Sequence, residues 1–264
     1  MRLLNTTLAI MLLIAGASCK KNADFTETPE QTEARADVNA ASAILRVETF
    51  VNELEFIARQ MAVAQPPTSF LNCASITKTD IPEGKKVEIA FSAVNTCSDN
   101  TTRSGKLSIT YQTASGNIFI TSNNYTVGGL LVSGNYSFQP LTEQQKSFLK
   151  LVVLDGKLTN AYGEYIAFSM ERKNEFKVGS GTPDINDDIF ETSDASYDVE
   201  LKQGGTATLI DASSHSAYTL KYSCTEKYLP RSGKVKFQRA NGNERYLVWG
   251  TGNCSDQASV SHTP

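Results

Sequence analysis

The chain has 264 residues, 40% of them hydrophobic, and its 25 basic and 28 acidic side chains leave a formal charge of −3. The charges are interspersed and form no basic stripe, so the electrostatic footprint of a nucleic-acid binder is missing. The length suffices for one large domain or two small ones, with a core that needs no cofactor to be stable.

The amino terminus runs from Arg2 through an apolar stretch at 8–17 to Cys19, followed at once by Lys20 and Lys21. About ten apolar residues span only ~15 Å as a helix, half of what a bilayer core requires. Residues 1–18 therefore read as an export signal and not as a membrane span. The order basic, apolar, small, Cys resembles a bacterial lipoprotein signal, in which Cys19 becomes the acylated first residue of the mature chain. Each buried acyl methylene contributes ~0.8 kcal/mol, so two or three chains hold a protein on a membrane. The expected location is the outer membrane. Periplasmic and surface faces both stay open, since the residues after Cys19 lack a compact acidic cluster.

Residues 19–36 are polar with one large apolar residue, Phe25, and read as a disordered tether. From Asp37, a suitable N-cap, apolar residues recur at three- and four-residue intervals through Val38, Ala41, Ile44, Val51, Leu54, Ile57 and Met61. This predicts an amphipathic helix within 37–67, stopped by Pro66 and Pro67. Its apolar face should pack on the sheet that follows. Glu48, Glu53 and Glu55 against Arg46 and Arg59 argue against a membrane-surface helix.

Beyond Pro67 the period becomes two. Val87, Ile89 and Phe91 alternate with polar or small residues, as do Leu107, Ile109 and Tyr111, then Tyr197, Val199 and Leu201, then Tyr218, Leu220 and Tyr222. Turn signals separate the runs: Ser115-Gly116-Asn117, Gly128-Gly129, Gly134-Asn135, Asp155-Gly156, Gly204-Gly205 and Asn241-Gly242-Asn243. Residues 68–264 are thus mainly β, an antiparallel sandwich or one long twisted antiparallel sheet with a single amino-terminal helix.

Arg103-Ser104-Gly105-Lys106 returns as Arg231-Ser232-Gly233-Lys234, each copy near a Cys-Ser-Asp triplet, Cys97-Ser98-Asp99 and Cys254-Ser255-Asp256. The triplet precedes the first copy and follows the second, so two related halves, 68–140 and 160–264, and a shared strand-entry motif are equal readings. With Cys19 lipidated, Cys73, Cys97, Cys224 and Cys254 remain, an even number suited to an oxidising compartment. Pairing neighbours in sequence, Cys73 with Cys97 and Cys224 with Cys254, closes loops that stabilise by roughly 3 to 4 kcal/mol each. A hairpin turn at 81–84 would set Cys73 opposite residue 91 or 92, so the first pair requires the strand to curl or bulge. Zinc is disfavoured because no CxxC is present and the histidines are only His215 and His262.

Cys73, Val87-Glu88-Ile89-Ala90-Phe91, Cys97, the first RSGK, Tyr111 and Asn124-Tyr125-Thr126-Val127-Gly128-Gly129, together with Cys224, Ser232-Gly233-Lys234-Val235 and Gly252-Asn253-Cys254, resemble β-rich lipoproteins of Bacteroidota that have no established activity. The resemblance implies an envelope location and a helix followed by a β body. It departs from that group at residues 92–95, Ser-Ala-Val-Asn, where glycines and an acidic residue are usual.

Chemistry is sparse. Asp184, Asn186 and Asp188 have the 1, 3, 5 spacing of a calcium loop, but Ile189 replaces the glycine and Ala195 the final glutamate. His215 lies near Asp211, Ser213 and Ser214, without a GxSxG elbow. Trp249, Tyr246, Tyr222 and Tyr228 would form a sugar-stacking row if exposed, although alternation with Leu247 and Val248 turns about half of such rings inward. The reading is a lipid-anchored envelope protein with a structural or ligand-binding role, no cofactor and no catalytic residues. Its partners are the membrane, through the lipid, and a glycan or envelope protein. A glycan-binding lipoprotein is the first alternative. A hydrolase, which would need two carboxylates ~5 to 9 Å apart in a cleft, is the second.

Overall fold

The structure, a computed structural model, describes residues 27–62, 71–180, 182, 184–224 and 228–263, without the side chains of 93–95. The export signal, Cys19 and the Pro66-Pro67 stop lie outside the described residues.

One helix, α1 (Pro29–Ala62), precedes twelve strands: β1 (Ala74–Ile81), β2 (Gly84–Thr96), β3 (Thr102–Gln112), β4 (Ile118–Val127), β5 (Leu130–Glu143), β6 (Lys146–Thr159), β7 (Tyr165–Val178), β8 (Ile189–Gln203), β9 (Thr206–Lys221), β10 (Pro230–Arg239), β11 (Glu244–Thr251) and β12 (Ser259–Ser261). The strands form a single antiparallel meander in which each pairs with the next, β1 and β12 being the edges. Of the two architectures the sequence allows, the chain adopts the long sheet, and no break separates 68–140 from 160–264.

The helix starts eight residues before Asp37. Thr28 Oγ1 accepts from Gln31 N at 3.2 Å while Gln31 Oε1 accepts from Thr28 N at 3.0 Å, a capping box with Pro29 at the first helical position. Residues 29–36, expected as tether, are therefore helical. Asp37 is a buried third-turn residue whose two carboxylate oxygens accept from Arg239 Nε and Arg245 Nε, each at 2.7 Å.

The helix is not a one-faced amphipath lying on a sheet. From Val47 to Met61 all but Thr49 and Arg59 are buried, Glu48, Asn52, Glu53, Glu55 and Gln60 included. Tyr111 of β3 donates to Ala58 O at 2.5 Å, Phe50 stacks edge-on against Tyr136 of β5, and Lys78 of β1 donates to Met61 O at 3.2 Å near the carboxyl end of α1. With Arg172 of β7 and the Asp37 contacts from β10 and β11, these show the sheet wrapped around the helix. Inward-facing apolar residues of every long strand meet α1 in one continuous core.

Curling of this degree requires local breaks in the pleat. Nine of the eleven strand pairs shift register, the exceptions being the outer pairs β1 with β2 and β11 with β12, so the bend is spread around the sheet. Gly134-Asn135 and Asp155-Gly156, expected as turns, are facing bulges inside β5 and β6. A Cβ on Gly134 would stand 2.7 Å from Gly156 Cα, which explains why two glycines meet there. The other glycine and asparagine signals close hairpins as expected.

The two RSGK copies occupy equivalent bulges. Gly105 has φ 79° and Gly233 φ 92°, and a Cβ would come within 2.0 Å of Asn124 O and 2.2 Å of Ala217 O respectively. Arg103 and Arg231 are both fully buried. In space each arginine meets its Cys-Ser-Asp triplet: Arg103 Nη1 and Nη2 donate to the Asp99 carboxylate at 2.9 and 2.7 Å, and Arg231 Nη1 donates to Asp256 O at 3.5 Å. Disulfides join Cys73 to Cys97 and Cys224 to Cys254. Ala74 pairs with Phe91, and the β2–β3 register then shifts between Phe91 and Asn95, supplying the bulge that the first bridge needs.

Candidate functional site

The enclosed helix carries two sets of polar groups. Glu48, Asn52, Glu55 and Arg59 recur at helical spacing and form one stripe facing β7, β8 and β9. Arg172 Nη1 donates to Glu48 Oε2 at 2.5 Å, and its Nη2 donates to Asn52 Oδ1 at 2.5 Å and to Glu55 Oε2 at 3.2 Å. Glu48 Oε1 accepts from the hydroxyls of Tyr197 and Tyr218. Arg59 reaches Asp188 Oδ2 at 2.5 Å and lies over the rings of Phe176 and Phe190. Burial, partly offset by Arg59, lifts the Asp188 carboxyl to about 6, and burial also raises Glu55 against the pull of Arg172 and Arg59.

Glu53 points elsewhere, toward β3. Its Oε1 takes both bonds from Arg103, one from Nε at 3.2 Å and a closer one from Nη2. No donor among the described residues meets its Oε2. Burial raises the Glu53 carboxyl despite Arg103. Beside it opens a groove of about 530 Å³, walled by Leu45, Phe50, Val127, Leu130, Leu158 and Leu229, with the Tyr228 ring at its inner side. The Tyr228 hydroxyl is buried and has no hydrogen-bond partner among the described residues. Arg46 stands exposed at the rim, and from there a smaller extension of about 370 Å³ follows the helix past Val38, sharing Leu130 and Leu158. The groove lies where the β4–β5 hairpin and the end of β6 stand off from α1, so apolar walls remain open to solvent.

A second depression, about 680 Å³, lies across β6 to β10. Asp198 of β8 and Asp211 of β9 are direct cross-strand partners there, both exposed, with Ser169 and Gln238 beside them in the same row. Cross-strand partners place their Cβ atoms ~4.5 to 5.5 Å apart, so like charges at this pair repel.

The residues singled out from the sequence fare differently. Trp249 and Tyr222 are 1% exposed and face α1, Tyr222 donating to Asn52 O at 3.3 Å. Tyr246 is on the opposite face, covered edge-on by His215 and bonded to Glu244. These rings offer no exposed stacking row, because the curled sheet turns Trp249 and Tyr222 into its interior. Asp184, Asn186 and Asp188 do not converge: Asp184 Oδ1 accepts from Asn186 N at 3.0 Å in capping a short 3-10 turn, while Asp188 turns inward to Arg59. Among the described residues no group of three His, Cys, Asp or Glu side chains gathers to hold a metal. Cys19 lies outside the described residues.

Sequence reasoning missed the Glu53 groove. Its signal was weak but present: three glutamates at 48, 53 and 55 stand in a helix whose apolar residues run almost all the way round, and an enclosed helix is apolar on every side. Compared with known proteins, the chain matches no family model, no curated protein and no solved structure.

Proposed function

We propose that this is an envelope protein held on the outer membrane by lipid at Cys19, and that it binds a small apolar ligand in the groove beside α1. The observation that carries the reading is the groove itself. Mostly apolar walls with a few polar groups, Arg46, Thr49 and Glu53, in a volume of about 530 Å³, have the size and make-up of a small-molecule site. Two disulfides agree with an oxidising compartment. Anchoring is tested by the Cys19→Ala variant, which should leave the membrane fraction and lose palmitate labelling. Proteinase digestion of intact cells, with a periplasmic marker, decides the face.

Ligand binding is tested by titrating the mature protein with N-phenyl-1-naphthylamine, which fluoresces in apolar surroundings. Saturable binding at one site per chain is expected, and Leu130→Trp should abolish it by filling the groove. A signal that never saturates sinks this reading. The exposed Asp198 and Asp211 pair favours a second one, hydrolysis by two carboxylates in the larger depression. Turnover of a glycoside panel, lost in both Asp198→Asn and Asp211→Asn, would support it.

A further inference from the structure

We infer that the groove selects amphiphiles ending in a primary ammonium group, with the alkyl body along Leu45, Leu130 and Leu158 and the ammonium on Glu53 Oε2. The inference rests on the groove being a ligand site and adds the chemistry of its occupant. Three observations carry it. Glu53 is only 7% exposed and lines the groove, yet both Arg103 bonds fall on Oε1, leaving Oε2 without a donor. A carboxylate oxygen in apolar surroundings is costly unless a donor meets it.

Charge balance gives the sign. Arg103 is bonded to both Glu53 and Asp99, one positive charge against two negative, so among the described residues this cluster has room for one more cation. A carboxylate ligand would add a third negative charge. Arg46 does not reverse the preference, because it is exposed at the rim two helical turns, ~10 Å, from Glu53, where water and salt screen it.

The donor count agrees with the charge. An ammonium group has three donors and no acceptor, matching a carboxylate oxygen that lacks a donor. The Tyr228 ring lies in the groove wall, with its hydroxyl buried and without a hydrogen-bond partner among the described residues. An alcohol offers one donor and no charge.

The test is competition of n-octylammonium, 1-octanol and octanoate against bound N-phenyl-1-naphthylamine, using the full mature protein at neutral pH. Octylammonium should displace the dye at a concentration about tenfold below that of 1-octanol, the ratio expected of one charge-assisted hydrogen bond, with octanoate weakest. Glu53→Gln should bring octylammonium to the level of the alcohol. Asp99→Asn removes the same excess charge from a partly exposed turn and should narrow the ratio even if Glu53→Gln does not fold. Equal potency of all three compounds, or preference for octanoate, overturns the inference while the groove stands as an apolar site. Absence of saturable dye binding overturns the groove reading itself.

Discussion

Glu48 and Glu53 lie five residues apart on one enclosed helix, and their surroundings differ. Glu48 has both oxygens occupied, by Arg172, Tyr197 and Tyr218. Glu53 has one oxygen held by Arg103 and the other beside an open groove. A buried carboxylate with every lone pair used is scaffold, whereas one left half-used at a cavity wall is available to a ligand. The side of the helix decides which, because the sheet closes tightly over α1 at β7 to β9 and stands off at the β4–β5 hairpin.

The sharpest way to break the comparison is to remove the arginine that holds Glu48. Arg172→Met strands Glu48 and Glu55 in the core, and loss of one member of a buried ion pair costs about 3 to 5 kcal/mol. Urea unfolding should show that loss, and a cost under about 1 kcal/mol would mean that the stripe does not hold the helix.

On the open side the corresponding break acts through the backbone. Gly105→Ala forces a Cβ against Asn124 O and a side chain into φ 79°, displacing the bulge that carries Arg103 to Glu53. Strain and clash together should cost roughly 2 to 4 kcal/mol. Gly233→Ala, in the matching bulge, should cost a similar amount without touching Glu53. Dye binding separates the two, reduced in Gly105→Ala and kept in Gly233→Ala under conditions where both are folded.

Much of this frame is legible in the sequence and part is not. Alternation at Val87, Ile89 and Phe91 names inward residues, because a strand has only two faces. The disulfide pairs are those that closeness in sequence favours among three possible connectivities. The cap Thr28-Pro29-Glu30-Gln31 is equally legible, a Thr and Gln three apart around a proline, but the polar composition before Asp37 points to a tether instead. Gly134-Asn135 and Asp155-Gly156 read as turns, since a bulge and a turn use the same backbone conformations. The groove is written nowhere locally. It joins residues of α1, β4, β5, β6 and the segment before β10, and only the curl of the whole sheet brings them together.

A subtler probe uses Asp188, the ion-pair partner of Arg59 at the outer end of the Glu48 stripe. Its carboxyl stands at about 6 against an ordinary 3.8, with burial the main cause and Arg59 opposing it. The folded chain therefore binds more protons than the unfolded chain between these values. The contribution of Asp188 is fully present below ~3.8, falls as pH rises to ~6 and is level above. The stability difference between the wild type and Asp188→Asn should drop by on the order of 2 kcal/mol from about pH 4 to about pH 7. A difference that does not change with pH would show that Arg59 fully compensates the burial.

The smallest stability effect is expected where the functional consequence is largest. Glu53→Gln keeps the shape of the side chain and an acceptor for Arg103, which also retains Asp99. Removing a buried charge relieves its desolvation, so the loss of one charge-assisted bond is largely offset, and the net cost should be about 1 kcal/mol or less. The matching change Glu48→Gln puts an amide donor against Arg172 or two tyrosine hydroxyls and should cost several times more. Parallel urea titrations of the two variants measure this directly. Equal costs would mean that Glu53 is as much a part of the scaffold as Glu48.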